Sequence, residues 1–238
     1  MAADTSIAII FSRLDSSRLP GKALLPIGDR PLIGRAIDRA RAIPGIDAVV
    51  VATTDRAVDD PIADFVRAEG IGLFRGDCDD VCGRALGCAQ SFGAARFLRI
   101  CGDSPFLDIG LAQSAVAVHR AMGLDLCTNV FPRSFPPGTS VEVVSTRAMA
   151  RVAAAAAGAD EREHMTRHFY VRPDLYRIVN LSCGDGRYAG VALTVDTPAD
   201  LGRARAIVAG LGTRAVSAAL DEVVALARQH DQSAGASC

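Results

Sequence analysis

No run of about 18 consecutive apolar residues occurs anywhere in the 238-residue chain, so no membrane span is expected. Residues 1–6 lack the basic stretch and long apolar segment of a secretory leader, and the chain reads as cytoplasmic. An excess of positive charge is missing too. Twenty-six basic and 27 acidic residues leave a formal net charge of -1, so there is no global field to hold a nucleic acid. The seven cysteines (Cys78, Cys82, Cys88, Cys101, Cys127, Cys183 and Cys238) contain no C-x-x-C pair and are odd in number. They read as small buried hydrophobes in a reducing compartment. Internal repeats are absent, and the only low-complexity stretch is the alanine run at 153–157. Hydrophobic residues, by contrast, make up 50% of the chain and charged ones 22%, enough for a sizeable core. The length suits one large α/β domain, alone or with a small appendage.

Hydrophobic periodicity predicts strands at Ser6–Ser12, Asp47–Thr53, Ile71–Phe74, Ala95–Cys101 and Leu124–Thr128. Between them it predicts helices at Pro31–Ile43, Asp60–Glu69, Asp80–Phe92 and Ile109–Met122, the third weakened by Gly83 and Gly87. Regular alternation of this kind implies βαβ units, hence an open, mostly parallel twisted sheet with helices on both faces. The rhythm then breaks in a Pro-rich loop, Asn129–Ser140. Beyond it a strand is expected at Val141–Ser145, a helix at Thr146–Ala157, another at Asp160–Val171, and strands at Leu175–Leu181 and Val191–Val195. Helices at Ala199–Ala209 and Ala215–Gln229 close the chain, with a frayed tail after them. Residues 1–230 are thus expected to form a single domain, with 231–238 as a flexible tail.

Three clusters carry chemistry. The first is the loop F-S-R-L-D-S-S-R-L-P-G-K, Phe11–Lys22, which leaves the first strand at its C-terminal end, where open α/β sheets place ligands. Arg13, Arg18 and Lys22, with Gly21 for close backbone approach, suit a triphosphate. The loop is neither a Walker A motif, because Ser16 and Ala23 stand where Gly and Ser or Thr belong, nor a G-x-G-x-x-G turn. Alone, it reads equally as a solvated basic loop. The second cluster is Gly102-Asp103-Ser104-Pro105. Its carboxylate just past a buried strand suits Mg²⁺ or caps the next helix. The third, Asp196-Thr197-Pro198, reads either as a second Mg²⁺ carboxylate or as a helix entry.

Together these clusters resemble a known family. S-R-L-D-S-S-R-L-P-G-K-A-L is similar to the N-terminal signature of the CMP-Kdo synthetase and acylneuraminate cytidylyltransferase superfamily, most closely its SpsF-type spore-coat polysaccharide branch. The agreement continues in order through V-V-V-A-T-T (Val49–Thr54), D-D-P-I (Asp59–Ile62), F-R-G-D (Phe74–Asp77), G-D-S-P, T-N (Thr128-Asn129), P-R (Pro132-Arg133), V-E-V (Val141–Val143), E-R-E-H-M-T (Glu161–Thr166) and L-T-V-D-T-P (Leu193–Pro198). The resemblance implies a nucleotide-diphospho-sugar transferase-like fold, with CTP at the strand C-termini and CMP passed to a small anionic, sugar-acid-like acceptor as pyrophosphate leaves. Under it Ser12, Arg13, Arg18, Gly21 and Lys22 would hold the nucleotide, Lys22, Arg13 and Asp103 would act in catalysis, and Asp103 and Asp196 would bind Mg²⁺. Thr53, Thr54 and Arg75-Gly76-Asp77 would lie near cytosine and ribose, and Asn129, Arg133, Glu142 and His164 near the acceptor. The segment 129–181 would be an inserted acceptor and dimerisation subregion of a homodimer.

Several residues depart from the family pattern. Phe11-Ser12 replaces a usual Gln-Ala, and Asp15 adds a negative charge where Gly is common. Pro137 and Thr139-Ser140 fall in the expected acceptor pocket. His164 and His168, four apart on the expected helix, match neither H-E-x-x-H nor H-x-x-E-H and read as packing or a dimer contact, with acceptor recognition second. The rival functions are a nucleotidylyltransferase using another NTP or a phosphorylated acceptor, and a catalytically silent nucleotide-binding relative.

Overall fold

The first strand, β1 (Ser6–Phe11), is buried on both sides from Ser6 to Ile10, and its alternating side chains sort the core into two faces: Ala8 and Ile10 join one apolar cluster, Ile7 and Ile9 the other. The computed structural model describes residues 4–235; positions 1–3 and 236–238, including Cys238 and the end of the expected tail, lie outside the described residues. After β1 come a short hairpin, β2 (Pro26–Ile27) and β3 (Arg30–Pro31), then α1 (Leu32–Arg41), β4 (Ala48–Thr54), α2 (Asp60–Ala68), β5 (Gly72–Gly76) and α3 (Val81–Ser91). Next are β6 (Arg96–Cys101), α4 (Ile109–Met122), β7 (Leu126–Thr128), β8 (Glu142–Ser145), α5 (Thr146–Ala155), α6 (Ala159–Glu163), α7 (Arg167–Val171), β9 (Ile178–Asn180), α8 (Pro198–Leu211) and α9 (Leu220–Gly235).

Seven strands form one sheet in the order β5-β4-β1-β6-β8-β7-β9. Pairing is parallel from β5 to β6 and between β7 and β9, while β8 runs antiparallel to β6 and β7. The segment 129–181 therefore supplies β8 and β9 to the main sheet. One sheet face is covered by α1, α2 and α4 through residues such as Ile33, Ile37, Ile62 and Val116. The other is covered by α3, α5 and α7 through Cys88, Met149, Val152 and Phe169. Each such fully buried aliphatic or aromatic side chain contributes about 1.5–3 kcal/mol. A third cluster, with Leu201, Ile207, Val208 and Val223, docks α8 and α9 against Ile27, Leu32 and Phe106. Arg39 of α1, 1% exposed, ties this layer down by donating to the carbonyls of Leu107, Ala215 and Ala218 at 2.9–3.1 Å.

Three expected elements differ. Val191–Val195 is not a strand: Val191, Leu193 and Val195 are buried in alternation, but the backbone bonds loops instead of a neighbouring strand, Leu193 N to Pro137 O at 2.7 Å and Val195 N to Asp103 O at 3.0 Å. The single helix expected at Asp160–Val171 is two short ones, because the chain turns at His164 to bury Met165 in the core. His164 and His168 thus share no helix face, and His168 Nδ1 pairs with the Tyr176 hydroxyl at 3.0 Å. The last helix begins at Leu220 instead of Ala215, where a short 3-10 turn (Gly212–Ala215) ends, and it runs past the expected end at Gln229 to Gly235, taking in positions 231–235 of the expected tail. Helix α3, in turn, tolerates its glycines for a reason: a Cβ on Gly83 would sit 2.6 Å from Asp80 Oδ2, the carboxylate that caps the helix, and one on Gly87 would sit 2.9 Å from the Phe74 ring. Of the six described cysteines, all unpaired, Cys82, Cys88 and Cys127 are buried, whereas Cys78, Cys101 and Cys183 are half-buried. No helix among the described residues is long and apolar enough to cross a membrane.

Candidate functional site

The basic loop after β1 is fixed from beneath. Buried Asp59 accepts the Leu14 N–H at 2.7 Å and the Thr54 hydroxyl, and Arg56 bridges Asp59 to Asp15. Gly21 closes the loop by donating to Leu14 O at 2.9 Å, in a left-handed conformation (φ 71°) that suits glycine. On the neighbouring strand's exit, Gly102 N–H donates to Phe11 O at 2.8 Å, and a Cβ there would lie 2.9 Å from the Ser12 side chain. The two strand-end loops therefore lie in contact, and only glycine permits it.

Lys22 stands where they meet. Its Nζ donates to Asp103 Oδ2 at 2.9 Å, Asp196 Oδ1 at 2.8 Å and Val195 O at 2.9 Å. Arg18 Nη2 reaches the same Asp196 oxygen at 3.1 Å. Burial alone would lower the Lys22 pKa, but the Asp103 and Asp196 carboxylates outweigh it and hold the ammonium above its ordinary value. Asp196 arrives by two devices: the Val195–Asp103 backbone bond, and a capping box in which Thr197 and Asp200 start α8 while Asp200 also receives Asp196 N–H at 3.1 Å.

The carboxylate pair opens on a cleft of about 540 Å³. Ser12, Arg13, Arg18, Lys22, Asp103, Asp196 and His164 all line it. Arg13 pairs with Asp15 at 3.4 Å and Glu163 at 3.9 Å. The other expected residues lie elsewhere. The Thr53 hydroxyl is buried without a hydrogen-bond partner, and Thr54 holds Asp59. Arg75 ties the carbonyls of Thr54 and Arg56 to Asp60, Gly76 O accepts Asp55 N–H, and the Asp77 carboxylate accepts the N–H groups of Asp79 and Asp80. Asn129 staples Thr139 to Val141, and Arg133 donates to Ser140 Oγ. Pro137, Thr139 and Ser140 do not line the cleft either; Gly138 is pressed so closely on the Leu193–Thr194 backbone that a Cβ would sit 2.5 Å from it. This loop buttresses the segment carrying Asp196.

Two cleft arginines escape the sequence reading. Arg84 of α3 lies over the Phe11 ring and donates to the carbonyls of Asp77 and Cys78. Arg99, in the middle of β6, pairs with Glu142 of β8, which stands behind it and also accepts the Tyr170 hydroxyl at 2.5 Å. A signal exists for Arg99: a charged residue inside the apolar run F-L-R-I-C.

Comparison with known proteins adds to this geometry. A family model described as "Cytidylyltransferase" matches residues 7–207. The spore coat polysaccharide biosynthesis protein SpsF of Bacillus subtilis is 29% identical over 229 residues, covering 94% of each chain. Among solved structures, a cytidylyltransferase from Leptospira borgpetersenii superposes with a TM-score of 0.89 at 22% identity, over 96% of this chain and 95% of that one. CMP:2-keto-3-deoxy-manno-octonic acid synthetase complexed with CTP superposes with a TM-score of 0.65 at 18% identity, over 87% of this chain and 99% of that one. At these identities the two structures speak for the fold.

Proposed function

The chain belongs to the cytidylyltransferase family, and on that premise we propose that it transfers CMP from CTP to an anionic, sugar-acid-like acceptor, with Mg²⁺ and release of pyrophosphate. The observation that carries this is the convergence of Lys22, Arg18, Asp103 and Asp196 on one point at the mouth of the cleft. The named activities of relatives support it: the synthetase complexed with CTP for the nucleotide, and SpsF for use in a surface polysaccharide.

The residues fit a divalent cation. Asp103, Asp196 and the Val195 carbonyl are hard oxygen donors already facing one positive charge, the Lys22 ammonium. No group of three or more His, Cys, Asp or Glu side chains that would hold a metal is gathered among the described residues. Two carboxylates completed by substrate phosphates and water are the usual way Mg²⁺ is bound. When bound there, Mg²⁺ supplies neutralisation of the α-phosphate and acidifies the acceptor hydroxyl. The chain's own part is positioning and charge: an acceptor oxygen attacks the α-phosphorus in line, while Arg13, Arg18 and Lys22 offset charge growing on the leaving pyrophosphate.

The exposed apolar side chains Phe131 (39%), Val171 (54%) and Leu175 (48%) lie in the segment proposed for homodimerisation, and a monomeric mass in light scattering at micromolar protein would count against it. The unpaired thiols agree with a cytoplasmic reaction. The deciding experiment incubates the protein with each NTP, Mg²⁺ and a panel of acidic sugars and measures pyrophosphate. CTP should be preferred, and Asp103→Asn or Asp196→Asn should cut turnover by orders of magnitude with the fold intact. A GTP or UTP preference, or wild-type turnover in both variants, overturns the assignment.

A further inference from the structure

Along a strand successive side chains face opposite ways, so Arg99 and Cys101 point to one side of β6, and both line the cleft together with Asp103 in the turn that follows. Asp103 belongs to the Lys22 cluster next to the β1 loop. Arg99 lies farther back on β6, toward β8, and away from the loop proposed to hold the triphosphate. Any second substrate sharing the cleft with a nucleotide meets this side.

The cations near the loop are all engaged with protein groups: Arg13 with Asp15 and Glu163, Arg18 with Asp196, Lys22 with both carboxylates, and Arg84 with two carbonyls. Arg84 and Arg99 each bond protein through Nη1 alone and leave Nε buried without a partner, but of these cations Arg99 is the one that holds a buried carboxylate, on the β8 side. Its Nη1 pairs with Glu142, its Nε is buried with no partner, and Nη2 has no hydrogen bond to protein among the described residues. Its side chain is 28% exposed, Glu142 only 3%. Glu142 is held in turn. Burial would raise its pKa, but Arg99, Tyr170 and Thr166 together keep it below the usual carboxylate range. Were the pair there for packing alone, apolar residues of similar volume would fill the place at no greater cost. A clamped guanidinium that lines a cleft with Nη2 left unbonded is an arrangement that suits an oxyanion. Because Glu142 already neutralises Arg99, the pair suits a monoanion held by hydrogen bonds better than a phosphate dianion.

We infer that Arg99 anchors the acceptor by its carboxylate, with Glu142 and Tyr170 as positioning residues that fix the guanidinium. This rests on the cleft being a joint nucleotide and acceptor site.

The test is calorimetry on the full chain with 2-keto-3-deoxy-manno-octonic acid and N-acetylneuraminic acid, each beside its methyl ester, with and without an α,β-methylene CTP analogue and Mg²⁺. At least one acid should bind, its ester at least about tenfold more weakly, as expected for a lost charge-assisted hydrogen bond. Arg99→Gln combined with Glu142→Gln, which removes both charges of the buried pair, should weaken the acid by a similar factor. Arg99→Lys should fall between, and Tyr170→Phe should weaken the acid severalfold. An acid bound equally by the double variant, an ester bound as tightly as its acid, or no acid bound by the wild type overturns the inference. If the double variant fails to fold, Arg99→Lys and the ester comparison decide. A separate thermal-shift measurement with CTP tests the nucleotide assignment: no shift by CTP alongside acid binding through Arg99 removes that assignment and leaves this one standing.

Discussion

Replacing Lys22 with methionine keeps the length of the side chain and removes one charge from between two carboxylates. In the wild type that ammonium bonds Asp103 at 2.9 Å and Asp196 at 2.8 Å, with side-chain exposures of only 12%, 25% and 26% for the three residues. Without it, two carboxylates that reach the same point repel each other by roughly 2 kcal/mol at an effective dielectric of about 20–40. The Val195 carbonyl loses a donor as well, at about 1 kcal/mol. The metal-free variant should therefore be destabilised by about 2–4 kcal/mol, or about 5–15 °C in Tm for a domain of this size. Adding Mg²⁺ should restore much of this loss in the variant and do little for the wild type, where the ammonium already fills the position. Urea unfolding followed by circular dichroism, in chelator and then in Mg²⁺, reads both effects. Equal stability of the two proteins in chelator would show that the ion cluster contributes nothing. Equal stabilisation of both by Mg²⁺ would show that lysine and cation do not compete for one place, and no stabilisation of either would count against Asp103 and Asp196 as a metal site.

Asp15 bonds Arg56 at 2.8 Å and Arg13 at 3.4 Å, so Asp15→Gly frees a cleft cation and should raise CTP affinity or leave it unchanged; weaker CTP binding in calorimetry would mean Asp15 itself holds the nucleotide or its metal. Gly138→Ala puts a Cβ 2.5 Å from the Leu193–Thr194 backbone at φ 91°, which should cost about 2–4 kcal/mol and lower turnover further by displacing Asp196; wild-type turnover in the folded variant would refute the buttress. His119 is buried with neither ring nitrogen hydrogen-bonded, and burial, aided by Arg96, pushes its pKa down to about 4. The unfolded ring takes its proton near pH 6.5, so this contribution is whole above that pH and falls by about 1.4 kcal/mol per pH unit toward pH 4. His119→Leu should flatten the stability profile in that window, and an unchanged slope in urea titrations would exclude His119 as its source.

Elements with both a periodic interior and chemical punctuation were legible in the sequence. Helix α4 begins and ends where expected because Asp108 caps it, accepting Leu111 N–H at 2.7 Å, and Gly123 closes it in the left-handed conformation. Val191–Val195 shows the limit of periodicity. Its alternation encodes burial faithfully, yet whether an extended segment finds a strand or a loop beside it depends on Pro137 and Asp103, residues far away in the chain. At His164 a polar stretch of helical propensity yields to the burial of a single residue, Met165, which tertiary packing rewards more.

For the site, the same ambiguity acts on individual side chains. A threonine, asparagine or arginine at a strand end holds either a ligand or the neighbouring loop, and its chemistry is the same in both. Thr54, Arg75 and Asn129 spend their donors on Asp59, on the carbonyls of Thr54 and Arg56, and on Thr139, so motif position alone overstates their reach into the cleft. They still matter to it, because Asp59 holds Leu14, and Asn129 helps shape the loop that braces Asp196. Arg99 is the converse. A charge inside an apolar strand is costly unless something answers it, and Glu142 answers part of it from the adjacent strand in direct register. That register joins positions 43 apart in sequence, which no local pattern reports. Arg99 is therefore hard to find in this sequence because its partner comes from the antiparallel strand β8, the element that breaks the βαβ rhythm.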